Sequence, residues 1–152
     1  MYTNILVPLD GSPFSELALP HAAALAGKFD CKITLVVVFE TPHVYQSFMD
    51  KDGGVLNDIH QAAIREVSDY LEGVKSRLVA EGLSVEYEFI EGGNVPATIL
   101  ETIEESGADL IVMCTHGRTG LDRWRFGSVA QRVTRHSPVP VVLIRPNPKN
   151  QE

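Results

Sequence analysis

Apolar residues fall along this chain in two rhythms, short continuous runs and longer stretches spaced three and four apart. The runs at 3–8 (Thr-Asn-Ile-Leu-Val-Pro), 31–39 (Cys-Lys-Ile-Thr-Leu-Val-Val-Val-Phe), 108–113 (Ala-Asp-Leu-Ile-Val-Met) and 139–144 (Val-Pro-Val-Val-Leu-Ile) each predict a strand. Residues 83–90 alternate, with Val85, Tyr87 and Phe89 on one side and Glu86 and Glu88 on the other, and predict a fifth. Helical spacing is clearest at 58–81, where Ile64, Val67, Leu71, Val74 and Leu78 recur among charged residues and Gly82 supplies the stop. An Ala- and Leu-rich stretch at 13–27 predicts a helix capped by Ser12, with Pro13 in its first turn, Gly27 at its end and a bend at the interior Pro20. Asn94 caps a third helix with Pro96 in its first turn and Gly107 after it, and a fourth begins at Ser128. Residues 40–57 follow neither rhythm and read as a mobile loop.

Strands that alternate with helices of this length pair in parallel through right-handed crossovers. The expected fold class is α/β, a five-stranded parallel sheet with helices on both faces. A chain of 152 residues with 44% hydrophobic content suits one core, so residues 1–146 are expected to form a single domain. The tail at 147–152, rich in polar residues, is expected to be flexible.

Composition removes several classes of function. No apolar run approaches the ~20 residues that span a bilayer, and the first residues lack the basic stretch and cleavage site of a secretory signal, so no membrane association is expected. The two cysteines, Cys31 and Cys114, have no metal-ligand spacing and form no disulfide framework, which fits a reducing cytoplasm. Cys114 reads as a packing residue, with a redox-sensitive thiol as the alternative. Net charge is −7, yet between Cys114 and His136 five arginines (118, 123, 125, 132 and 135) face the single acid Asp122. An acidic chain with one local basic segment points to a small anion there, and away from nucleic acid.

That segment is also a glycine-bearing loop between the end of a predicted strand and the start of a predicted helix. Unpaired backbone N–H groups and the positive end of the helix dipole make such a place suited to phosphate. Two nucleotide fingerprints are absent. The Gly27-Lys28 pair is followed by Phe29, with Ala22 where a Walker loop needs its first glycine, and no Gly-x-Gly-x-x-Gly follows the first strand.

The loop resembles that of the universal stress protein family, whose ATP-binding branch carries Gly-x2-Gly-x9-Gly-Ser/Thr after its fourth strand. Gly117, the nine residues 118–126, and Gly127-Ser128 match the later part, while Cys114 stands where the first glycine belongs. The opening Ile5-Leu6-Val7-Pro8-Leu9-Asp10-Gly11-Ser12 and the approach Gly107-Ala108-Asp109-Leu110-Ile111-Val112-Met113 are also similar to the family, so the likeness covers nearly the whole chain. It implies the family's adenine nucleotide alpha-hydrolase-like fold and a nucleotide site. Backbone N–H groups of Gly127, Ser128 and Val129, with the Ser128 hydroxyl, would hold phosphates, Gly127 allowing the ligand to approach. His116 and Gly117 would pass the ribose, Val38 would offer backbone bonds to adenine, and Asp10 would contact the adenosine moiety. Pro8, Leu9 and Met113 complete the implied pocket, and Arg118 would feel the phosphates.

The residues themselves leave other readings open. Asp10 before glycine can bond its own turn, His116 can fix the loop, the arginines can be solvated surface, and Trp124 can be a packing residue. Cys114 strains the loop if that position needs positive φ, and changes nothing if the residue is still in the strand. The resemblance implies a cytoplasmic protein binding ATP, ADP or AMP as a regulatory ligand in stress response, with Mg²⁺ carried through the phosphates. No general base is evident, so it is expected not to be an enzyme beyond slow ATP turnover. The apolar strand at 139–144 would be an exposed edge if left alone, and the family covers it with a second subunit, which implies a homodimer. The alternative function is a dimeric interaction module of the same family that binds no nucleotide.

Overall fold

The structure is a computed structural model that describes residues 1–40, 54–116 and 127–147. Five strands, β1 (Asn4–Leu9), β2 (Lys32–Phe39), β3 (Val85–Glu91), β4 (Leu110–Cys114) and β5 (Val141–Ile144), form one sheet in the order β3-β2-β1-β4-β5. Every pairing is parallel. The helices are α1 (Leu19–Phe29), α2 (Val55–Ala80), α3 (Val95–Ser106) and α4 (Ser128–His136).

Side-chain alternation along the central strands divides the core in two. Ile5, Val7 and Leu9 of β1 and Leu110 and Val112 of β4 pack with Ala22 and Ala26 of α1 and with Leu71, Val74 and Leu78 of α2. Leu6, Ile111 and Met113 point the other way, against Ile99 and Ile103 of α3 and Ala130 and Val133 of α4. The expected five-stranded parallel sheet with helices on both faces is therefore the observed one.

Several boundaries differ from the sequence reading. In place of one bent helix at 13–27 there is a 3₁₀ turn, Ser15–Ala18, followed by α1. Pro20 lies in the first turn of α1, where its missing N–H removes no hydrogen bond. Helix α1 runs past Gly27 and stops at Phe29, because Asp30 takes the left-handed conformation (φ 54°) that ends it. Helix α2 begins at Val55, three residues before the expected start, and β3 and β5 each begin two residues late. The Asn94 cap is present, its side chain accepting from the Ala97 N–H at 3.0 Å, and Gly82 and Gly107 have the positive φ that helix stops require. The reading of a mobile loop falls at 41–53 outside the described residues, as does the tail from 148 onward.

At the N-terminal end of the sheet a polar clasp aligns β1 with β4. The Asp109 carboxylate accepts from the Thr3 N–H (2.8 Å), the Thr3 hydroxyl (2.7 Å) and the Asn4 N–H (3.1 Å). Burial pushes this carboxyl up, but the bonds from the Thr3 hydroxyl and from the Asn4 and Thr3 amides outweigh it and hold the group below its ordinary value. A depressed carboxyl contributes stability that is present above the unfolded value and is lost as pH falls through the folded one. Asp109→Asn should therefore lower the melting temperature at neutral pH by several degrees, for a loss of about 1–3 kcal/mol. The gap to wild type should shrink in acid melts below the ordinary carboxylate range, and a gap that stays constant down to that range would dismiss the clasp.

Candidate functional site

The strand order changes direction at β1, whose sequence successor β2 lies on one side and whose other neighbour, β4, comes late in the chain. In open parallel sheets such a switch point leaves a crevice beyond the strands' C-terminal ends, because the two connections leave to opposite sides. Ile5 lies opposite Leu110 and Leu6 opposite Ile111, so the two strands reach that end together, one leading to Asp10 and the other to Thr115 and His116.

On the β1 side the chain turns sharply through Gly11 (φ 80°). One Asp10 carboxylate oxygen accepts from the Ser12 N–H at 2.9 Å, and the Asp10 N–H donates to the Ser15 hydroxyl at 3.3 Å. The Ser15 hydroxyl in turn donates to the Ser12 carbonyl, and the Ser12 hydroxyl accepts from the Ser15 N–H. The turn-bonding reading of Asp10 is thus realised for one oxygen, and the same bond fixes the half-buried carboxylate at the strand end.

On the β4 side, Cys114 is the last residue of the strand, buried and paired opposite Ile144. Cysteine in the first motif position therefore sits in extended backbone, and the strained alternative does not arise. Burial pushes the Cys114 thiol up, and the nearby Asp10 charge adds to it, which suits packing better than reactivity.

Thr115, which the sequence reading passed over, is the knot of the site. Only 1% exposed, it donates its N–H to the Ile144 carbonyl at 2.9 Å and accepts from the Gly127 N–H at 2.7 Å. Its hydroxyl pairs with His116 Nδ1 at 2.8 Å. One residue thereby ties β5, the start of α4 and the half-buried His116 to the end of β4. Its only signal in the sequence is a hydroxyl residue directly after a buried run.

Two observations bear on the start of α4. The Gly127 N–H is not available to a phosphate, since the Thr115 carbonyl already accepts it. A Cβ at 127 would lie 2.9 Å from the Thr115 carbonyl oxygen. The absent side chain lets helix and strand end dock. The amides of Ser128 and Val129 have no hydrogen-bond acceptor among the described residues, as expected of the first turn of a helix. That turn carries no acid, Ser128 is exposed, and Arg135 and His136 occupy the last turn, where they complement the dipole.

Of the other predicted site residues, Pro8, Leu9 and Met113 are buried, and Val38 is half-buried at the end of β2. Gly117 and Arg118 lie outside the described residues, with Arg123, Trp124 and Arg125. A cavity of about 570 Å³ lies elsewhere, between α1 and α2, and none of the predicted site residues lines it. Among the described residues no cluster of His, Cys, Asp and Glu could hold a metal ion. No described helix is long and apolar enough to cross a membrane.

The model of the universal stress protein family matches residues 1–145. The chain belongs to the universal stress protein family. Universal stress protein MJ0531 of Methanocaldococcus jannaschii is 33% identical over 152 residues, covering 99% of this chain and 86% of the relative. The solved structure of the universal stress protein UspA from Lactobacillus plantarum superposes with a TM-score of 0.78 at 26% identity, covering 95% of this chain and 98% of that one. The universal stress protein from Archaeoglobus fulgidus in complex with dAMP has a TM-score of 0.67 at 25% identity, covering 94% of this chain and 98% of that one. Such relatives are named as stress proteins and not as enzymes. In this universal stress protein the described motif residues Cys114, Gly127 and Ser128 lie at the end of β4 and the start of α4, next to the switch point between β1 and β4.

Proposed function

We propose that the chain binds an adenine nucleotide in the crevice between β1 and β4 and that occupancy serves as a regulatory signal in stress response. The observation that carries this reading is the pair of amides, Ser128 and Val129, that have no acceptor among the described residues at the start of a helix with no acid in its first turn. An anion there gains two N–H donors and the positive end of the dipole. That the anion is an adenylate draws support from the Archaeoglobus relative in complex with dAMP.

In the proposed arrangement the Ser128 and Val129 amides and the Ser128 hydroxyl hold the phosphates of ATP, ADP or AMP, with Mg²⁺ carried on phosphate oxygens. Gly127 contributes by docking the helix. His116, Gly117 and Arg118 flank the ribose and phosphates, Asp10 meets the adenosine moiety, and Pro8, Leu9, Val38 and Met113 form the wall. Nothing in the sequence pairs His116 with a nucleophile, so turnover of ATP is expected to be slow and the role regulatory. The protein is expected in the cytoplasm as a homodimer. Strand β5 ends the sheet with partly exposed Val141, Val142, Leu143 and Ile144, an edge that a second copy would cover.

Thermal melts test the reading. A nucleotide at a hundred times its Kd should add about 2.7 kcal/mol and raise the melting temperature by roughly 5–10 °C. No rise with ATP, ADP or AMP would leave the second reading, a dimeric interaction module without nucleotide. That alternative is favoured by the Gly127 amide and one Asp10 oxygen being engaged inside the protein.

A further inference from the structure

Thr115 is buried, with its N–H and carbonyl taken up by β5 and by the start of α4. Its hydroxyl meets only His116 Nδ1 among the described residues, at 2.8 Å. Two proton arrangements satisfy that distance. Either the hydroxyl donates to a bare Nδ1, or a protonated Nδ1 donates to the hydroxyl oxygen. In the second arrangement the hydroxyl proton is left in a buried place with no acceptor among the described residues, which carries the full penalty of an unpaired donor. The first leaves no such donor. It puts the proton of the neutral ring on Nε2, because the bond made at one imidazole nitrogen sets the state of the other.

Burial also closes the Thr115 hydroxyl to any ligand, so what it acts on is the ring. Nε2 is the imidazole nitrogen remote from that hydroxyl, and the ring is half-buried just past the end of β4, beside the crevice. The backbone bonds of Thr115 to Ile144 and Gly127 hold the base of this arrangement against β5 and α4.

We propose that Thr115 is a positioning residue for His116, holding the ring as the Nε2–H tautomer so that Nε2 donates to a phosphate oxygen of the bound nucleotide. A bare Nε2 would instead present a lone pair to that oxygen and repel it. The tautomer thus gives the β4 side of the crevice a donor that matches the Ser128 and Val129 amides on the α4 side. The donation rests on the nucleotide reading given above, whereas the tautomer belongs to the free chain.

Nitrogen NMR spectra of the isotope-labelled free chain, taken above the pH range in which imidazoles ordinarily protonate, read the tautomer directly. The His116 ring, assigned by its loss in His116→Gln, should carry its proton on Nε2 and show a hydrogen-bonded Nδ1. Thr115→Ser should keep that pattern. Thr115→Val, of the same shape without a hydroxyl, should lose the hydrogen-bonded Nδ1 signal. A wild-type ring protonated on Nδ1 overturns the inference, as does a Thr115→Val spectrum equal to that of wild type. In titration calorimetry Thr115→Val should bind ATP about tenfold more weakly, as one lost hydrogen bond implies, and Thr115→Ser should stay within about twofold of wild type. Equal ATP affinity in Thr115→Val and wild type overturns the donation. On the His116→Gln background, adding Thr115→Val should cost nothing further. A full additional loss there overturns the inference too, because Thr115 then acts by holding β4 to α4 and not through the ring. A wild-type chain that binds none of ATP, ADP and AMP overturns the nucleotide reading and the donation with it, while the spectrum of the free chain still decides the tautomer.

Discussion

Gly127→Val should abolish stabilisation by nucleotide and lower the melting temperature of the free protein by several degrees. The reason is a backbone collision. A Cβ at this position would stand 2.9 Å from the Thr115 carbonyl oxygen and 3.8 Å from the His116 Cα, neither of which can rotate aside. Relief requires lengthening the 2.7 Å bond from the Gly127 N–H to that carbonyl, which lifts the first turn of α4 away from the end of β4. Overpacking of this kind costs about 1–3 kcal/mol. Because the Ser128 and Val129 amides move with the turn, the proposed phosphate cradle moves too. Gly127→Ala should show most of the same loss, since the clash begins at Cβ. A Gly127→Val protein that ATP stabilises as strongly as wild type would exclude the start of α4 as the site.

Leu71→Ala should be among the most damaging single truncations, costing about 2–5 kcal/mol and roughly 10 °C in melting temperature. Leu71 is fully buried where α2 meets the sheet, in one cluster with Val74 and Leu78. Ile59, on the same helix, is 50% exposed. Ile59→Ala should therefore change stability by less than about 0.5 kcal/mol. Denaturant melts of the pair check the face assignment. Similar losses in both would mean that α2 does not dock through its Leu71 stripe. The contrast tests a helix, Val55–Ala80, whose sequence is balanced between apolar and polar residues and which depends on tertiary contact for its order.

Much of the fold was legible because burial on a sheet or a helix face has a period. The alternation that sends Leu6 to one side and Ile5 and Val7 to the other is written in consecutive residues, as is the Leu71, Val74, Leu78 stripe. Caps were legible where a single residue type carries the geometry, as at Asn94, Gly82 and Gly107. Propensity misled at α1, where proline suggested a bend in a long helix. The chain instead begins the α-helix just before Pro20 and lets Asp30 end it. Of the candidate site, the segment and its glycines could be read, but not what each group was already bonded to.

The sequence alone determined a parallel α/β sheet, through local periodicity, and its glycine motif carried the resemblance to the universal stress protein family. Only the tertiary structure decided that β1 and β4 end side by side, that Thr115 binds the start of α4, and that Gly127 is required by a carbonyl oxygen. Those contacts join segments distant in sequence, and no pattern within a single segment records which backbone group another will take up.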